Sequence, residues 1–409
     1  MKFIFLLTQD LDSPSGLGRY FPLGKELHRL GHVVSIIALH SNYSELSIKK
    51  YKKDGVWIHY VAQMHVKKMG DKKIYYSTIK VIWLSLVATL KLFVNAIRYQ
   101  SDIIMICKPH PMNSIAGIFA KILNRTRLLY LDVDDYESAS GNFSNKFQLN
   151  VIKFFEKFVP KVVNKITTNT YYMKDLMISW GIPHAKIIYL PNGVDLDRFS
   201  KPSSRELYKL KHRLGITNKK VIGYIGSMSL ANHPIDLLLD AFCEIYKTQP
   251  NVVLLMVGGG EDFDKIKRLV RKLKIESSTI FVGKVSYEDV YIYYHLCNVT
   301  VDPVRDNDAC RARAPLKIFE SIACGVPVVT DNVGDRSIIL GNLNSKLLQL
   351  SCENTALANK IITAINDDDL SYQFSKIVKK HLQYYSWENI TAHFNNSCLT
   401  TRQQNHFYK

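Results

Sequence analysis

The sequence is short of the residues that mark disordered, fibrous or disulfide-linked chains. Its 409 residues include only 13 prolines and 20 glycines, and its seven cysteines are scattered with no C-x-x-C pair. The low proline and glycine content excludes collagen-like and low-complexity chains. The odd number and wide spacing of the cysteines argue against a disulfide framework or a zinc site. We therefore expect a chain that folds throughout, in a reducing cytoplasm.

Long hydrophobic runs are also missing. Only five apolar residues follow Lys2 before Thr8, too few for the core of a signal peptide. The most apolar stretch, residues 79–97, falls short of a spanning helix, which normally has about 20 nearly uncharged residues. Lys80, Lys91 and Asn95 interrupt it. Lysines cluster nearby, at 49–53 and 67–73. The pattern fits either an outer helix with solvated lysines or a peripheral face for an anionic membrane.

Acidic residues are too few to balance the basic ones. The chain has 54 lysines and arginines against 36 aspartates and glutamates, a formal net charge of +18. Such a field favours an anionic partner, for which nucleic acid, a membrane surface and a phosphorylated substrate are the candidates. No motif of interleaved aromatic and basic residues or reading helix supports nucleic acid. We therefore expect no nucleic-acid partner.

Short aliphatic runs alternate with helical patterns along the whole chain. The predicted strands are 3–7, 33–39, 103–107, 128–133, 166–170 and 187–190, then 221–225, 252–257, 279–282, 299–304 and 326–330. Runs without polar alternation are typical of parallel strands buried on both faces. The sequence therefore predicts an α/β fold with two Rossmann-like, doubly wound domains facing a cleft. We place the first domain at 1–192, the second at 193–375, and a C-terminal helix that packs back on the first domain, with a tail, at 376–409.

The segment 301–330 is the most informative in the sequence. Its pattern is strand, loop, helix, strand, with Pro315 at the first helical position and Gly325 just past the helix end. In an open parallel sheet, a strand end and the following helix N-terminus face the ligand site. Free backbone N–H groups there favour a phosphate. Arg311, Arg313 and Lys317 add positive charge, so the segment predicts a diphosphate site.

Glu320 lies three residues beyond Lys317, on nearly the same helical face. A carboxylate beside a phosphate site is useful when it accepts hydrogen bonds from neutral hydroxyls such as those of a ribose. An ordinary surface ion pair with Lys317 is the alternative. We favour ribose binding.

The stretch Pro-Leu-Lys-Ile-Phe-Glu-Ser-Ile-Ala-Cys-Gly-Val-Pro-Val-Val at 315–329 resembles the donor-site motif of the GT-B-fold glycosyltransferases of family 4 (glycosyl transferases group 1). Further matches are 192–195, 226–229, 258–261 and 281–285. The resemblance implies a retaining transfer from a nucleotide diphosphate sugar, with neither cofactor nor metal, and with donor in the second domain and acceptor in the first. It implies catalytic roles for Lys317 and Arg311. The residues that it assigns to donor binding are Ser227, Gly259, Val282, Gly283, Arg313, Leu316 and Glu320.

Three positions depart from the family pattern. Ala312 stands where the family has a glutamate, eight residues before Glu320. Ser227 and Asn232-His233 stand near the positions of an arginine and a lysine that contact phosphate in the family. The alternative function is therefore a catalytically inactive GT-B protein that binds a membrane or nucleic acid.

The segment Ser15-Gly-Leu-Gly18 follows the first strand and opens a helix. Phe21 replaces the third glycine of the dinucleotide fingerprint, and no acidic residue ends strand 33–39, so a dehydrogenase is disfavoured. By the resemblance, Gly16 and Gly18 approach the donor sugar and phosphates. A plain tight turn is the alternative.

Polar side chains follow two neighbouring strands of the first domain. Asp132, Asp134 and Asp135 end one strand, and His110 follows another. We predict that Asp132 and Asp135 bind the acceptor, while Asp134 and His110 act on its hydroxyl. The alternatives are helix capping and ion pairing for the aspartates, and a structural role for the histidine.

The combined prediction is a glycosyltransferase whose partners are a nucleotide sugar and a glycan or lipid-linked acceptor. Cell-surface polysaccharide or glycolipid synthesis is the expected setting, because the basic, apolar first domain suits an anionic membrane surface. We expect a cytoplasmic protein, peripheral on the inner face of the cell membrane.

Overall fold

A computed structural model describes residues 1–407 apart from positions 71, 124, 142, 144, 342–346 and 350–353. The chain divides into two compact units. Unit 1 comprises Met1–Gly193, the short segment Ala312–Ala314 and the chain from Trp387 onward. Unit 2 comprises Val194–Arg311 and Pro315–Ser386.

Unit 1 is built on an eight-stranded sheet of order β10-β9-β8-β7-β1-β2-β4-β3 and a separate hairpin, β5-β6. Its strands are β1 (Lys2–Leu7), β2 (Val33–His40), β3 (Lys50–Lys53), β4 (Val56–Gln63), β5 (Val66–Met69), β6 (Lys72–Tyr75), β7 (Ser101–Cys107), β8 (Thr126–Val133), β9 (Lys165–Thr168) and β10 (Ile187–Tyr189). All neighbours in the large sheet pair in parallel except β3 and β4. The aliphatic runs of the central strands are buried on both faces, which is why they lack polar alternation.

Helices cover both faces of this sheet. They are α1 (Phe21–Arg29), α2 (Thr78–Arg98), α3 (Pro111–Ile122), α4 (Glu137–Ser140), α5 (Lys146–Val162), α6 (Tyr171–Ser179) and, after the unit 2 helices, α16 (Trp387–Phe407). One core contains α2, α3 and α5, and a second core contains α1 and α16. Helices α2, α3 and α5 therefore lie side by side on one face of the sheet.

The antiparallel pairing of β3 with β4 departs from the all-parallel prediction. The two strands are joined by Asp54 and Gly55, both with positive φ (46° and 83°). Two such residues make the tight turn that suits a hairpin, and an Asp-Gly pair is its usual sequence marker. The lysine-rich segment at 49–53 is thus an edge strand, where charged side chains discourage pairing with other chains.

Unit 2 is a six-stranded parallel sheet of order β13-β12-β11-β14-β15-β16. Its strands are β11 (Lys220–Ile225), β12 (Val252–Val257), β13 (Thr279–Gly283), β14 (Val299–Asp302), β15 (Val328–Asp331) and β16 (Leu348–Gln349). Its helices are α7 (Ser204–Arg213), α8 (Ile235–Thr248), α9 (Phe263–Lys272), α10 (Val290–Tyr294), α11 (Asp308–Arg311), α12 (Leu316–Ala323), α13 (Arg336–Leu340), α14 (Asn354–Asn366) and α15 (Asp368–Tyr385). The predicted α/β class with doubly wound sheets is confirmed.

Some element ends differ from the prediction. Pro315 is the N-cap of α12, so the helix begins one residue later than its predicted first position. Gly325 lies just past the end with a φ of 69°, as expected for a residue that ends a helix in the left-handed conformation. The predicted C-terminal tail is helical through Phe407, and positions 408 and 409 lie outside the described residues.

The cysteines in the described part of the chain are free thiols, and all but Cys243 are buried. Cys352, counted in the sequence analysis, lies outside the described residues. The buried cysteines need no disulfide or metal to explain them, because a free cysteine packs in a core like a small apolar side chain.

Candidate functional site

In unit 1, polar side chains collect where β7 and β8 end. These strands are hydrogen-bonded neighbours, and the residues that follow each of them emerge at the same sheet edge. Lys108 is the centre of the cluster, with its ammonium 3.1 Å from Asp134 Oδ1, 2.7 Å from Asp135 Oδ2 and 2.7 Å from Glu137 Oε1. The lysine thus gathers three carboxylates, and two of them, Asp134 and Asp135, are residues predicted for the site.

The backbone at Lys108 is unusual, with a φ of 71°. A non-glycine residue in this region carries strain of order 1 kcal/mol or more, which the surrounding structure must offset. Asn113, fully buried at the start of α3, donates through Nδ2 to the carbonyls of Leu6, Cys107 and Lys108 at 2.7–3.1 Å. These bonds fix the turn and aim the lysine at the carboxylates.

His110 joins the same cluster from the N-cap of α3. Its Nε2 lies 3.1 Å from Glu137 Oε2, and its Nδ1 shares a hydrogen bond of 2.6 Å with the hydroxyl of Thr8. The ring is therefore held from both sides. Neither Thr8 nor Glu137 was singled out as a partner in the sequence, because nothing in the spacing connects them to residue 110.

Burial and neighbouring charges shift the carboxyl groups of the cluster in opposite directions. Burial raises the pKa of Asp134 to about 6, with the negative charge of Asp135 adding to the effect and Lys108 opposing it. Burial acts to raise the pKa of Glu137 as well. Lys108 and His110 outweigh it and hold the pKa of Glu137 well below its ordinary value. Two neighbouring carboxyl groups with separated pKa values suit different roles, one a proton acceptor near neutral pH and the other a permanent anion.

Asp132 does not join this cluster. Its carboxylate is buried and accepts from Arg19 Nε at 2.8 Å, Arg19 Nη2 at 2.6 Å and the hydroxyl of Thr167. A buried carboxylate with this many partners has little capacity left for a ligand. The geometry thus gives Asp132 a structural role instead of the predicted contact with an acceptor.

Arg19 ties the glycine segment to the rest of unit 1. Besides its paired contact with Asp132, its Nη1 donates to the Leu190 carbonyl at 3.0 Å and to Asn192 Oδ1 at 2.9 Å. Gly16 and Gly18 are both buried. A Cβ at Gly16 would lie 2.7 Å from the backbone of Asp10 and Leu11, so glycine is needed there for the packing of the loop itself.

Arg313 lies with the cluster of unit 1. Its Nε is 3.1 Å from Asp135 Oδ1, and the other oxygen of that carboxylate, Oδ2, pairs with Lys108. The sequence analysis assigned Arg313 to phosphate binding, a role that stays a prediction. In the structure its observed partner is a carboxylate.

In unit 2, the start of the motif at 315–329 forms helix α12. This helix follows β14, the short helix α11 and a loop. Pro315 caps the helix with extended backbone, and Leu316 and Lys317 make up its first two positions. The side chain of Lys317 passes over Gly226, the glycine that follows β11. A Cβ added at Gly226 would lie 3.3 Å from the Nζ of Lys317. The absence of a side chain at Gly226 leaves room for the ammonium at the end of the sheet.

The ammonium of Lys317 is buried and incompletely paired. It lies 3.4 Å from Asp302 Oδ1 and 4.4 Å from the ring centre of Tyr224. Within the described part of the chain it has no hydrogen-bond acceptor. Burial lowers the pKa of Lys317, and Asp302 acts in the opposite direction. A buried ammonium with unmet hydrogen-bonding capacity is a suitable donor for a phosphate oxygen.

Asp302 cannot fully neutralise Lys317, because Arg336 shares it. Arg336 Nε donates to Asp302 Oδ2 at 2.9 Å, and its Nη1 donates to the carbonyls of Cys310 and Val333. The two cations hold the pKa of Asp302 below its ordinary value although burial acts to raise it. The net charge of these three side chains is +1, which favours an anion beside them.

Glu320 lies one turn further along α12. Its Oε2 accepts a hydrogen bond of 2.8 Å from the phenol of Tyr294, a fully buried residue at the end of α10. Burial raises the pKa of Glu320, while Tyr294 and nearby cations act to lower it. The alternative reading of Glu320, an ion pair with Lys317, is not seen among the described residues, where Lys317 pairs with Asp302.

The glycines at the strand ends of β11, β12 and β13 pack directly against one another. Gly226 N donates to the Val257 carbonyl and Gly258 N to the Gly283 carbonyl, both at 2.9 Å. A Cβ at Gly258 would lie 1.9 Å from the Gly226 oxygen, and φ there is 137°. The predicted donor residues Ser227, Gly259, Val282 and Gly283 all lie on these strand ends. They form one edge of the unit 2 sheet.

Arg311 ends the short helix α11. Its guanidinium binds Asp306 in a paired contact at 2.6 and 2.8 Å and lies 3.7 Å from Asp308. All three side chains are substantially exposed. Exposed pairs of this kind contribute about 0–1 kcal/mol, so Arg311 can exchange its partner at low cost.

One acidic cluster in the described residues is close enough to hold a metal ion: Asp134, Asp135 and Glu137. The Lys108 ammonium lies within 3.1 Å of all three. A cation placed there would meet that positive charge at short range.

The comparisons with known proteins match both halves of the chain. The profile described as Glycosyltransferase Family 4 matches residues 16–198, and that described as Glycosyl transferases group 1 matches residues 209–381. Together the two matches span most of the sequence.

Curated relatives match at moderate identity. The chain is 25% identical over 224 residues to D-inositol 3-phosphate glycosyltransferase of Corynebacterium jeikeium, which covers 53% of this chain and 52% of that protein. It is 25% identical over 285 residues to alpha-monoglucosyldiacylglycerol synthase of Acholeplasma laidlawii, 64% of this chain and 69% of that protein. The chain thus spans about half the length of the first relative.

A solved structure extends the likeness to the whole fold. HepE of Anabaena in complex with UDP superposes with a TM-score of 0.73 at 19% identity, covering 98% of this chain and 100% of that one. At this identity the similarity concerns the fold alone.

Proposed function

Because this chain belongs to the family 4 glycosyltransferases and has their GT-B fold, we propose that it transfers a sugar from a nucleotide diphosphate sugar to a hydroxyl of a glycan or lipid-linked acceptor. The configuration at the anomeric carbon is retained. One observation carries the proposal: the buried Lys317 ammonium in the first turn of α12, which lacks a hydrogen-bond acceptor among the described residues.

Unit 2 binds the donor. The diphosphate lies at the N-terminus of α12, where free backbone N–H groups and the Lys317 ammonium act together. Glu320, one turn along, accepts hydrogen bonds from the ribose hydroxyls through its carboxylate, which Tyr294 holds in place. The strand ends at Ser227, Gly259 and Gly283 supply backbone contacts to the nucleotide.

Lys317 also stabilises the leaving group. When the bond from the anomeric carbon to the diphosphate oxygen breaks, negative charge accumulates on the diphosphate. Donors already oriented toward that charge lower the barrier without reorganising. Arg311, which can leave its exposed aspartate partner, adds a second cation. The acceptor oxygen then bonds to the anomeric carbon, and its proton passes to a base.

Unit 1 binds the acceptor and supplies that base. Asp134, with a pKa raised to about 6, is ionised at neutral pH but still able to take a proton. Asp135 contacts the acceptor hydroxyl through its remaining lone pairs, and His110, whose two ring nitrogens are bonded to Glu137 and Thr8, holds Glu137 in the cluster.

Lys108 balances the negative charge of the cluster, and its ammonium occupies the space among the carboxylates where a cation would bind. The proposed reaction is metal-independent because Lys317 and the N-terminus of α12 balance the charge of the diphosphate.

The acceptor is proposed from the relatives and from charge. One relative is named as a glycosyltransferase of D-inositol 3-phosphate and another as a diacylglycerol glycolipid synthase. A net charge of +18 favours an acceptor displayed on an anionic surface. We therefore place the enzyme at the cytoplasmic face of the cell membrane, in glycolipid or surface polysaccharide synthesis.

A second candidate is a GT-B protein that binds without catalysis. Ala312, at the position of the missing family glutamate, is fully buried, and its carbonyl accepts a hydrogen bond of 3.3 Å from Thr170. A glutamate side chain would not fit this packing without rearrangement. This chain therefore lacks one family carboxylate, and activity must be measured directly.

The test is transfer from a panel of UDP, GDP and ADP sugars to lipid and glycan acceptors, with release of the nucleoside diphosphate as the readout. We expect turnover with one donor and a strongly reduced but measurable rate in the Asp134→Asn and Lys317→Ala variants. Tight donor binding with no transfer or hydrolysis for any donor would favour the non-catalytic candidate.

A further inference from the structure

The outer faces of α2, α3 and α5 expose an unusual amount of apolar surface. These helices lie side by side on one face of the unit 1 sheet, with Phe93 of α2 against Phe119 of α3. We call their exposed side the apolar face. Its exposed apolar side chains are Ile79, Ile82, Trp83, Leu86, Leu90 and Val94 on α2, Phe119 and Ile122 on α3 with Leu123 just beyond it, and Phe147, Phe154, Phe158 and Val162 on α5.

Helix α2 shows that the apolar face is not a disturbed core. Its exposed apolar residues recur at spacings of three and four, which places them on one side of the helix. Ala88, Leu92 and Ala96 on the opposite side are fully buried against the sheet. Contrary to the expectation from the sequence, the helix is long and apolar enough to cross a membrane, and only 17% of its most apolar window is buried. Because its inner side belongs to the folded core, α2 lies along a surface instead of crossing a bilayer.

The charges around the apolar face have one sign. The three helices contain eight lysines and arginines and a single acidic residue, Glu156. Glu156 is buried and accepts a hydrogen bond of 3.0 Å from the Ser138 amide. On α5 the exposed lysines at 146, 153, 157 and 161 each adjoin an apolar residue of the exposed stripe. Long lysine side chains of this kind reach past apolar surface toward anionic head groups.

We propose that the apolar face binds the surface of an anionic lipid bilayer, with its aromatic and aliphatic side chains among the acyl chains and its lysines at the head groups. The one-sided charge decides between lipid and a second copy of this chain. Two copies meeting through this face would bring lysines against lysines without an acidic counterpart. An anionic leaflet supplies both the apolar interior and the opposite charge.

The experiment is flotation of the full-length protein with vesicles of phosphatidylcholine alone and of phosphatidylcholine with phosphatidylglycerol. Wild-type protein should float with the anionic vesicles, and added salt should weaken this binding by screening the lysines. The variant with Trp83, Leu86 and Leu90 all replaced by glutamine should lose at least about tenfold in vesicle affinity. These side chains are 60–65% exposed, so their replacement removes little packing.

Two further variants make the result specific. Replacement of Lys153, Lys157 and Lys161 by glutamine should abolish the preference for anionic vesicles, whereas the same change at Lys209, Lys265 and Lys272 of unit 2 should not. Replacement of Leu30, Tyr208 and Ile338 by glutamine, exposed residues outside the three helices, is the matched apolar control and should float like wild type.

Bilayer binding by the apolar face rests on the proposed function only for the idea that the acceptor lies in a membrane. The vesicle experiment does not depend on catalysis. Vesicle binding needs no donor, and donor binding measured on the same variants reports whether unit 2 is intact. Wild-type protein that ignores anionic vesicles would overturn the proposal, as would unchanged flotation of the Trp83, Leu86 and Leu90 variant. A dimer that dissociates in this variant, without vesicle binding by wild type, would identify a second copy as the occupant.

Discussion

The phenol of Tyr294 donates a hydrogen bond of 2.8 Å to Oε2 of Glu320. Tyr294 ends α10 and Glu320 lies on α12, so the contact orients the carboxylate from a different helix. Burial raises the pKa of Glu320, and the phenol acts to lower it. Tyr294 thus fixes the orientation of the Glu320 carboxylate and favours its ionised form, as the proposed ribose binding requires.

Tyr294→Phe should weaken donor binding by about fivefold, since a hydrogen bond of this kind contributes about 1 kcal/mol. Without the phenol the pKa of Glu320 rises further, so the acid-side loss of donor affinity should begin at higher pH. Calorimetric titration across a pH series measures both effects. Tyr293→Phe, the adjacent tyrosine on the same helix, should leave the profile unchanged, and an identical profile in Tyr294→Phe would count against the assignment.

Lys317→Ala should reduce affinity for the nucleoside diphosphate by roughly 30-fold, because a hydrogen bond to a charged group contributes about 2 kcal/mol. Transfer should fall further, since the ammonium also stabilises the departing diphosphate. Steady-state kinetics with the active donor separates the two effects. Lys272→Ala, an exposed lysine of the same unit, is the control.

The pH profile should follow the Asp134 carboxyl. Because its folded pKa is raised to about 6, the carboxyl is protonated below that pH and cannot accept a proton from the acceptor. The ratio kcat/KM should therefore fall as pH drops through about 6. Protonation has the opposite effect on stability: with a folded pKa above the unfolded value of about 3.9, this group makes the protein less stable as pH rises between the two values.

Asp134→Asn should remove both pH effects, which thermal unfolding and kinetics at several pH values would detect. An acid limb in kcat/KM that survives in this variant would assign it to another group.

Arg19→Met should destabilise unit 1 by about 3–5 kcal/mol, since it leaves the Asp132 carboxylate buried without its cation. Thermal unfolding followed by circular dichroism measures the loss. Replacing Asp132 by leucine in the same variant should restore part of the stability, because no unpaired charge then remains. Arg271→Met, at an exposed pair with Glu276 in unit 2, should change stability by less than about 1 kcal/mol. Equal effects of the two arginine variants would refute the structural role of Arg19 and Asp132.

The parallel strands were predictable because burial on both faces leaves aliphatic runs such as Val252–Val257, whose predicted and observed bounds agree. The hairpin of β3 and β4 was missed because the lysines of residues 50–53 hide a strand from any hydrophobic pattern. Its marker, Asp54-Gly55, was present in the sequence. The C-terminal helices were predicted as one helical stretch because periodicity alone did not locate the break at Ser386.

The site was predictable where local spacing determines it and not where distant residues meet. Lys317 and Glu320 share a helix face, so their placement followed from the sequence. The partners Tyr294, Asp302 and Arg336 come from three other elements, and only the folded sheet brings them to α12. Asp132 was assigned to the acceptor because it ends a strand beside Asp134, but Arg19, which is distant in sequence, binds its carboxylate in the folded unit.

The most direct test of the account is calorimetric titration of wild type and Lys317→Ala with UDP, GDP and ADP and their sugar conjugates. If Lys317 holds the diphosphate at α12, wild type should bind one nucleotide series and the variant should bind the same series roughly 30-fold more weakly. Equal affinity of the two proteins, or no binding of any nucleoside diphosphate by wild type, would contradict the assignment of the donor site to α12.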